Sequence, residues 1–162
     1  MKKIILFILI ILTSCNREVP TEFSEKSYNE RVFSVDDSSA IFKDIINSYK
    51  GKKVLIDVWA SWCRDCIKGM PDVKKLQTEF PEVVFLFLSV DERKNSWKRG
   101  ITKYKVVGEH YNLPKGMKNG DFIDFLDLGW IPRYLVIDEQ GKILVFNATK
   151  ASDKRIIEAL IK

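Results

Sequence analysis

Cys63 and Cys66, in the run Trp62-Cys63-Arg64-Asp65-Cys66, are the residues whose type and spacing offer chemistry. Two thiols three positions apart can exchange electrons with a disulfide, or supply half of a metal site. The metal readings are short of ligands. No cysteine follows Cys66 and the chain has a single histidine, His110, so a four-ligand zinc site is incomplete. Haem attachment would need histidine directly after Cys66, where Ile67 stands. A copper site from the two thiols and His110 stays open as an alternative. So does an inert structural disulfide, although so short a loop constrains the unfolded chain little. Nothing near His110 makes a metal cluster, and it reads as a surface or packed side chain.

The elements around the pair would make it reactive. Val54 to Trp59 is a mostly apolar run, as expected of a strand covered on both sides. Ile67, Met70, Val73, Leu76 and Phe80 then recur at helical spacing. Cys63 falls at the junction and Cys66 in the first helical turn. Free N–H groups and the positive helix end there favour a thiolate, the attacking species. Residues three apart share a helix face, so Cys66 can close onto Cys63. Cys63 is the expected attacker and Cys66 the resolver. Arg64 favours the thiolate and Asp65 opposes it, which leaves the net shift undecided.

Elsewhere, residues 31–35 suggest an opening strand. Asp36, Asp37 or Ser38 can cap a helix carrying Ile41, Ile45 and Tyr49, closed by Gly51. Residues 83–90 form a second buried strand. Helices are expected near residues 95–103 and 121–126. Residues 134–137 and 143–146 flank the turn Glu139-Gln140-Gly141-Lys142 and read as a hairpin. Ser152 is the expected cap of a final helix with Ile156, Ile157 and Leu160 inward. Strands alternating with helices before a late hairpin describe an α/β unit with a mixed sheet.

The chain has 162 residues, 46% hydrophobic and 30% charged, enough for one packed domain and a short appendage. Its formal charge of +5 drops to +3 without Lys2 and Lys3, too little to suggest nucleic acid. Those two lysines precede an apolar run from Ile4 to Leu12. As a helix that run would rise about 14 Å against roughly 30 Å of hydrocarbon, so it does not span a membrane. It reads as a secretory signal. Leu12-Thr13-Ser14-Cys15 resembles the lipobox of bacterial lipoproteins, which implies cleavage before Cys15 and lipid on its sulfur. The expected organisation is a signal at 1–14, a lipidated tether at 15–30 and a domain at 31–162. The stretch from Lys94 to Lys105 is rich in basic residues and reads as a solvated helix face.

Residues 57–66, Asp57-Val58-Trp59-Ala60-Ser61-Trp62-Cys63-Arg64-Asp65-Cys66, resemble the strand and active-site segment of the thioredoxin-like superfamily. The closest likeness is to the TlpA/ResA-like membrane-tethered thiol–disulfide oxidoreductases. Pro71 stands like that family's helix-kinking proline and Ile131-Pro132 like its cis-proline step. The segment between Asp91 and Gly129 resembles the branch's insertion. The resemblance covers roughly residues 32–162. It implies a thioredoxin-like fold, a central mixed sheet with helices on both faces. It implies disulfide reduction or exchange in which Asp57, buried in an apolar strand, moves the proton of Cys66. Trp62, Ile131 and Pro132 would receive the substrate strand. Implied partners are cysteine-containing envelope proteins and a membrane thiol–disulfide electron donor. No metal or cofactor is implied, and the protein would be a monomer, lipid-anchored in the cell envelope and facing the periplasm or exterior. Departures are Arg64-Asp65 between the thiols and Phe87 where thioredoxins place a lysine against the aspartate. No Pro-X-X-X-Thr-X-X-Cys pattern of peroxiredoxins is present.

Overall fold

The computed structural model describes residues 18–162, so the signal segment and Cys15 lie outside the described residues. The first half runs α1 (Glu25–Tyr28), β1 (Arg31–Ser34), β2 (Ser39–Ile41), α2 (Phe42–Ser48), β3 (Val54–Trp59), α3 (Arg64–Glu79) and β4 (Val84–Ser89). Then come α4 (Lys94–Tyr104), β5 (Glu109–Asn112), α5 (Asp121–Phe125), β6 (Arg133–Ile137), β7 (Ile143–Ala148) and α6 (Lys154–Ile161). The strands make one sheet in the order β2-β1-β5-β4-β3-β6-β7. β3, β4 and β5 are parallel, and the remaining pairs are antiparallel. This is the expected mixed sheet. β3 has β4 and β6 on its two sides and is buried at all six positions, which is why its sequence shows no alternation.

Several segments differ from the sequence reading. Ser34 to Ser38 closes a β1–β2 hairpin instead of capping a helix. Ser34 N–H donates to Ser38 O at 2.9 Å, the Asp36 carboxylate accepts from Ser38 N–H at 3.0 Å, and Asp37 takes a left-handed φ of +70°. The same small polar side chains serve turns and helix caps equally well. α2 therefore starts only at Phe42, with no side-chain cap. β5 was not anticipated, because Glu-His-Tyr-Asn carries no apolar run. Backbone pairing to β4 on one side and β1 on the other holds it.

Part of the segment assigned to the tether is packed. Phe23 is buried against Tyr28, Phe42, Phe122 and Phe125, with the Phe42 ring centroid 5.1 Å away. Buried Glu30 accepts from Phe122 N–H and pairs with Lys115 at 3.2 Å. The folded unit thus begins by Phe23. Polar neighbours masked a single aromatic anchor. α6 is capped by Asp153, whose carboxylate accepts from Arg155 N–H at 2.9 Å, rather than by Ser152.

Candidate active site

Cys63 is the N-cap of α3, and its Sγ accepts the Cys66 N–H at 3.1 Å. The turn that delivers it is closed by Cys63 N–H donating to Ala60 O at 3.0 Å. Cys63 and Cys66 are joined as a disulfide, S–S 2.06 Å, with Cα atoms 5.3 Å apart. The two sulfurs sit differently. Both are buried, but Cys63, 6% exposed, lines a surface cavity of about 370 Å³, while Cys66, 1% exposed, lies on the inner face of α3. In the reduced state, the helix N-terminus at Cys63 would favour its thiolate over that of Cys66, which points into the core.

A buried cluster that sequence reasoning missed holds this turn. The Asp91 carboxylate accepts from Ser61 N–H at 2.8 Å, Ser61 Oγ at 2.7 Å and Ser89 Oγ at 2.8 Å. Asn112 Nδ2 donates to the carbonyls of Ser89 and Asp91. Asp91, Ser89 and Asn112 are all buried. They lie at the carboxyl ends of the parallel strands β4 and β5, level with the turn after β3, where open α/β sheets build sites. The available signal was an acidic residue directly after an almost wholly apolar strand. α4 seals the other side. A Cβ at Gly100 would come within 2.6 Å of Ser61 Cβ, so only glycine lets that helix approach the turn so closely.

Asp57 is fully buried in β3, and neither carboxylate oxygen has a hydrogen-bond partner. Burial pushes its pKa up to about 8. In the sheet it stands opposite Tyr134 on one side and Phe87 on the other. The position beside the carboxyl thus holds an aromatic ring and no cation.

The Ile131–Pro132 peptide is cis, and Ile131 O lies 3.8 Å from Cys63 Sγ. Trp62 and Trp130 are 60% and 59% exposed, two of the few large apolar side chains left open among the described residues. Both line the cavity that Cys63 enters, together with Met117 and Ile131. Sequence reasoning had named Trp62 and Ile131 but not Trp130. Pro132 borders the next cleft along, beside α3.

His110 is not part of this assembly. Its ring stacks on Phe87 at 5.2 Å, its Nε2 lies 3.1 Å from Val106 O, and burial lowers its pKa. The ladder puts it two strands from Asp57, about 10 Å across the sheet. Its ring therefore packs two strands away from the strand that leads into the thiol turn.

Residues 51–143 match the family model described as thioredoxin-like. The thiol–disulfide oxidoreductase ResA of Bacillus cereus is 26% identical over 132 residues, 80% of this chain and 71% of that protein. The thioredoxin-like protein YneN of Bacillus subtilis is 30% identical over 105 residues, 62% of this chain and 59% of its own length. A Bacteroides vulgatus protein assigned as a thiol–disulfide oxidoreductase superposes with a TM-score of 0.64 at 30% identity, covering 80% of this chain and 84% of its own. A Bacteroides fragilis thiol–disulfide oxidoreductase shares the fold at TM-score 0.65, with 17% identity over 83% of this chain and 98% of its own.

Proposed function

The chain belongs to the thioredoxin-like family and is a thiol–disulfide oxidoreductase; from that premise we propose that it reduces or exchanges disulfides in extracytoplasmic proteins, with Cys63 attacking and Cys66 resolving. The observation that carries the assignment is the unequal placement of the two sulfurs. Cys63 meets a backbone N–H at a helix start and lines a surface cavity at 6% exposure, whereas Cys66, at 1%, does not line it.

In the reduced protein the Cys63 thiolate attacks one sulfur of the substrate disulfide. A bond forms between Cys63 Sγ and that sulfur, the substrate bond breaks, and the departing thiolate takes a proton from solvent. Where Asp57 is ionised, a share that grows as pH approaches 8, Cys66 then gives its proton to the Asp57 carboxylate and attacks Cys63 Sγ. The protein disulfide forms, and the second substrate sulfur leaves as a thiolate. Two electrons have passed to the substrate, and a membrane dithiol donor would return them. With a pKa of about 8, Asp57 is suited to exchange a proton near neutrality. Trp62, Ile131 and Pro132, with Trp130 and Met117, would receive an extended substrate segment, as their position around Cys63 supports.

The envelope location rests on the signal-like first fourteen residues and the lipobox-like Cys15. Lipid on Cys15 would hold the domain at a membrane surface through the short remaining tether. No helix among the described residues is long and apolar enough to cross a membrane.

Insulin reduction driven by dithiothreitol tests the activity. Wild type should accelerate it and Cys63→Ser should not. Equal rates in both would refute the assignment.

A further inference from the structure

Beneath α3, three buried oxygens have no protein partner: both carboxylate oxygens of Asp57 and the hydroxyl of Tyr134. Asp57 and Tyr134 face each other across the β3–β6 ladder. Opposed residues leave the sheet on the same face, with Cβ atoms about 5 Å apart. The tyrosine is the longer side chain, and its hydroxyl reaches the helix. A Cβ on Gly69 would lie 3.2 Å from that oxygen. Gly69 sits three residues past Cys66, so the hydroxyl lies beneath the helical turn that carries the resolving thiol. Glycine is unfavourable inside a helix, and here its missing side chain leaves the space over the hydroxyl open.

Tyr134 also borders a second cleft, of about 340 Å³, whose walls include Asp65, Lys68, Gly69, Asp72, Pro132 and Lys150. One side chain therefore stands between an enclosed carboxyl and a polar cleft that opens to solvent. Buried tyrosine hydroxyls ordinarily find a partner. Two unpartnered polar groups side by side make a site for a bridging water.

We propose that Tyr134 is the positioning residue that carries the proton of Asp57 to and from solvent, through its hydroxyl and the cleft at Gly69. The proposal rests on Cys66 as resolver and Asp57 as its proton acceptor. Turnover starts from ionised Asp57, whose share grows as pH approaches 8; as Cys66 gives up its proton and bonds to Cys63, Asp57 becomes neutral. It then hands a proton to the Tyr134 hydroxyl through a bridging water, and the hydroxyl releases its own to water in the cleft. Asp57 returns to carboxylate, Tyr134 is unchanged, and one proton has moved from Cys66 to solvent. Tyrosine performs this as a neutral relay. Its pKa is held far above the ordinary range by burial, then by the charges of Asp57 and Asp72. The titratable and charged groups around it are Asp57 from β3, Asp65, Lys68 and Asp72 from α3, and Lys150 after β7. Its partner on β7 is the uncharged Ala148.

The test is stopped-flow kinetics of the reduced protein with a peptide disulfide, from pH 5.5 to 9, separating attack from resolution. Tyr134→Phe should leave attack by Cys63 unchanged and slow resolution about tenfold at pH 7, a modest part of what a positioned proton-transfer group contributes. Asp57→Asn should slow resolution at least as much, and the double variant should be no slower than Asp57→Asn alone. Gly69→Ala, which crowds the hydroxyl while favouring the helix, should slow resolution in the same pH range. Wild-type resolution in Tyr134→Phe beside a slow Asp57→Asn would overturn the relay alone. A further tenfold loss in the double variant would also overturn it, because it would mark a structural effect independent of Asp57. Wild-type resolution in Asp57→Asn would overturn the relay together with the role of Asp57.

Discussion

Replacing Asp57 with Asn should make the oxidised protein more stable, by an amount that grows with pH. The carboxyl is enclosed in β3 with no hydrogen-bond donor and an aromatic ring where a cation would help. Folded, it holds its proton up to about pH 8. Unfolded, it releases it near pH 4. Between those values the unfolded chain binds fewer protons, so stability falls as pH rises. The linkage relation gives a penalty of about 1.5 kcal/mol at pH 5, about 4 at pH 7 and about 5.5 at pH 9. Asparagine does not titrate, and its buried amide adds an offset that is constant with pH. Other ionisable groups are shared by both proteins and cancel. Urea denaturation of the oxidised forms at pH 5, 7 and 9 would measure the difference. The gap should widen by about 4 kcal/mol from pH 5 to pH 9. A constant gap across that range would refute the reasoning, since it would mean that Asp57 is ionised in the fold as readily as in the unfolded chain.

Two further outcomes concern the turn that carries Cys63. Asp91→Ala removes the acceptor for three donors on Ser61 and Ser89, and should cost about 3 kcal/mol in thermal or urea denaturation. It should also slow disulfide reduction, because Ser61 is two residues from Cys63. Gly100→Ala would normally stabilise a helix. Here the new methyl meets Ser61 Cβ at 2.6 Å, so it should destabilise by about 1–2 kcal/mol in the same measurement.

Much of the site was legible because its parts lie close together in sequence. Asp57, Trp62, Cys63 and Cys66 occupy one strand, one turn and the start of one helix, which an apolar run followed by helical spacing located, while the roles of Asp57 and Trp62 came through family resemblance. Ile131 and Pro132 are distant in the chain and came only through family resemblance. The Asp91 cluster, Trp130 and Tyr134 came from neither. Asp91 meets Ser61 because β4 lies beside β3, Asn112 reaches Asp91 because β5 lies beside β4, and nothing in Glu-His-Tyr-Asn announces a strand. Tyr134 reads as an ordinary strand aromatic until the β3–β6 register sets it opposite Asp57. In the fold, the errors fall where short polar side chains serve several ends. Ser34 to Ser38 closes a hairpin with residues equally suited to cap a helix. A lone Phe23 anchors a segment whose composition is that of a linker.

The division of labour between the two cysteines is tested most directly by trapping. Each single Cys→Ser variant, reduced and incubated with a peptide disulfide, would be weighed intact by mass spectrometry. Cys66→Ser should retain one peptide thiol on Cys63, because the attack occurs and no resolver releases it. Cys63→Ser should carry none, because the remaining sulfur is enclosed on the inner face of α3. An adduct on Cys66 in Cys63→Ser, with none on Cys63 in Cys66→Ser, would contradict the account.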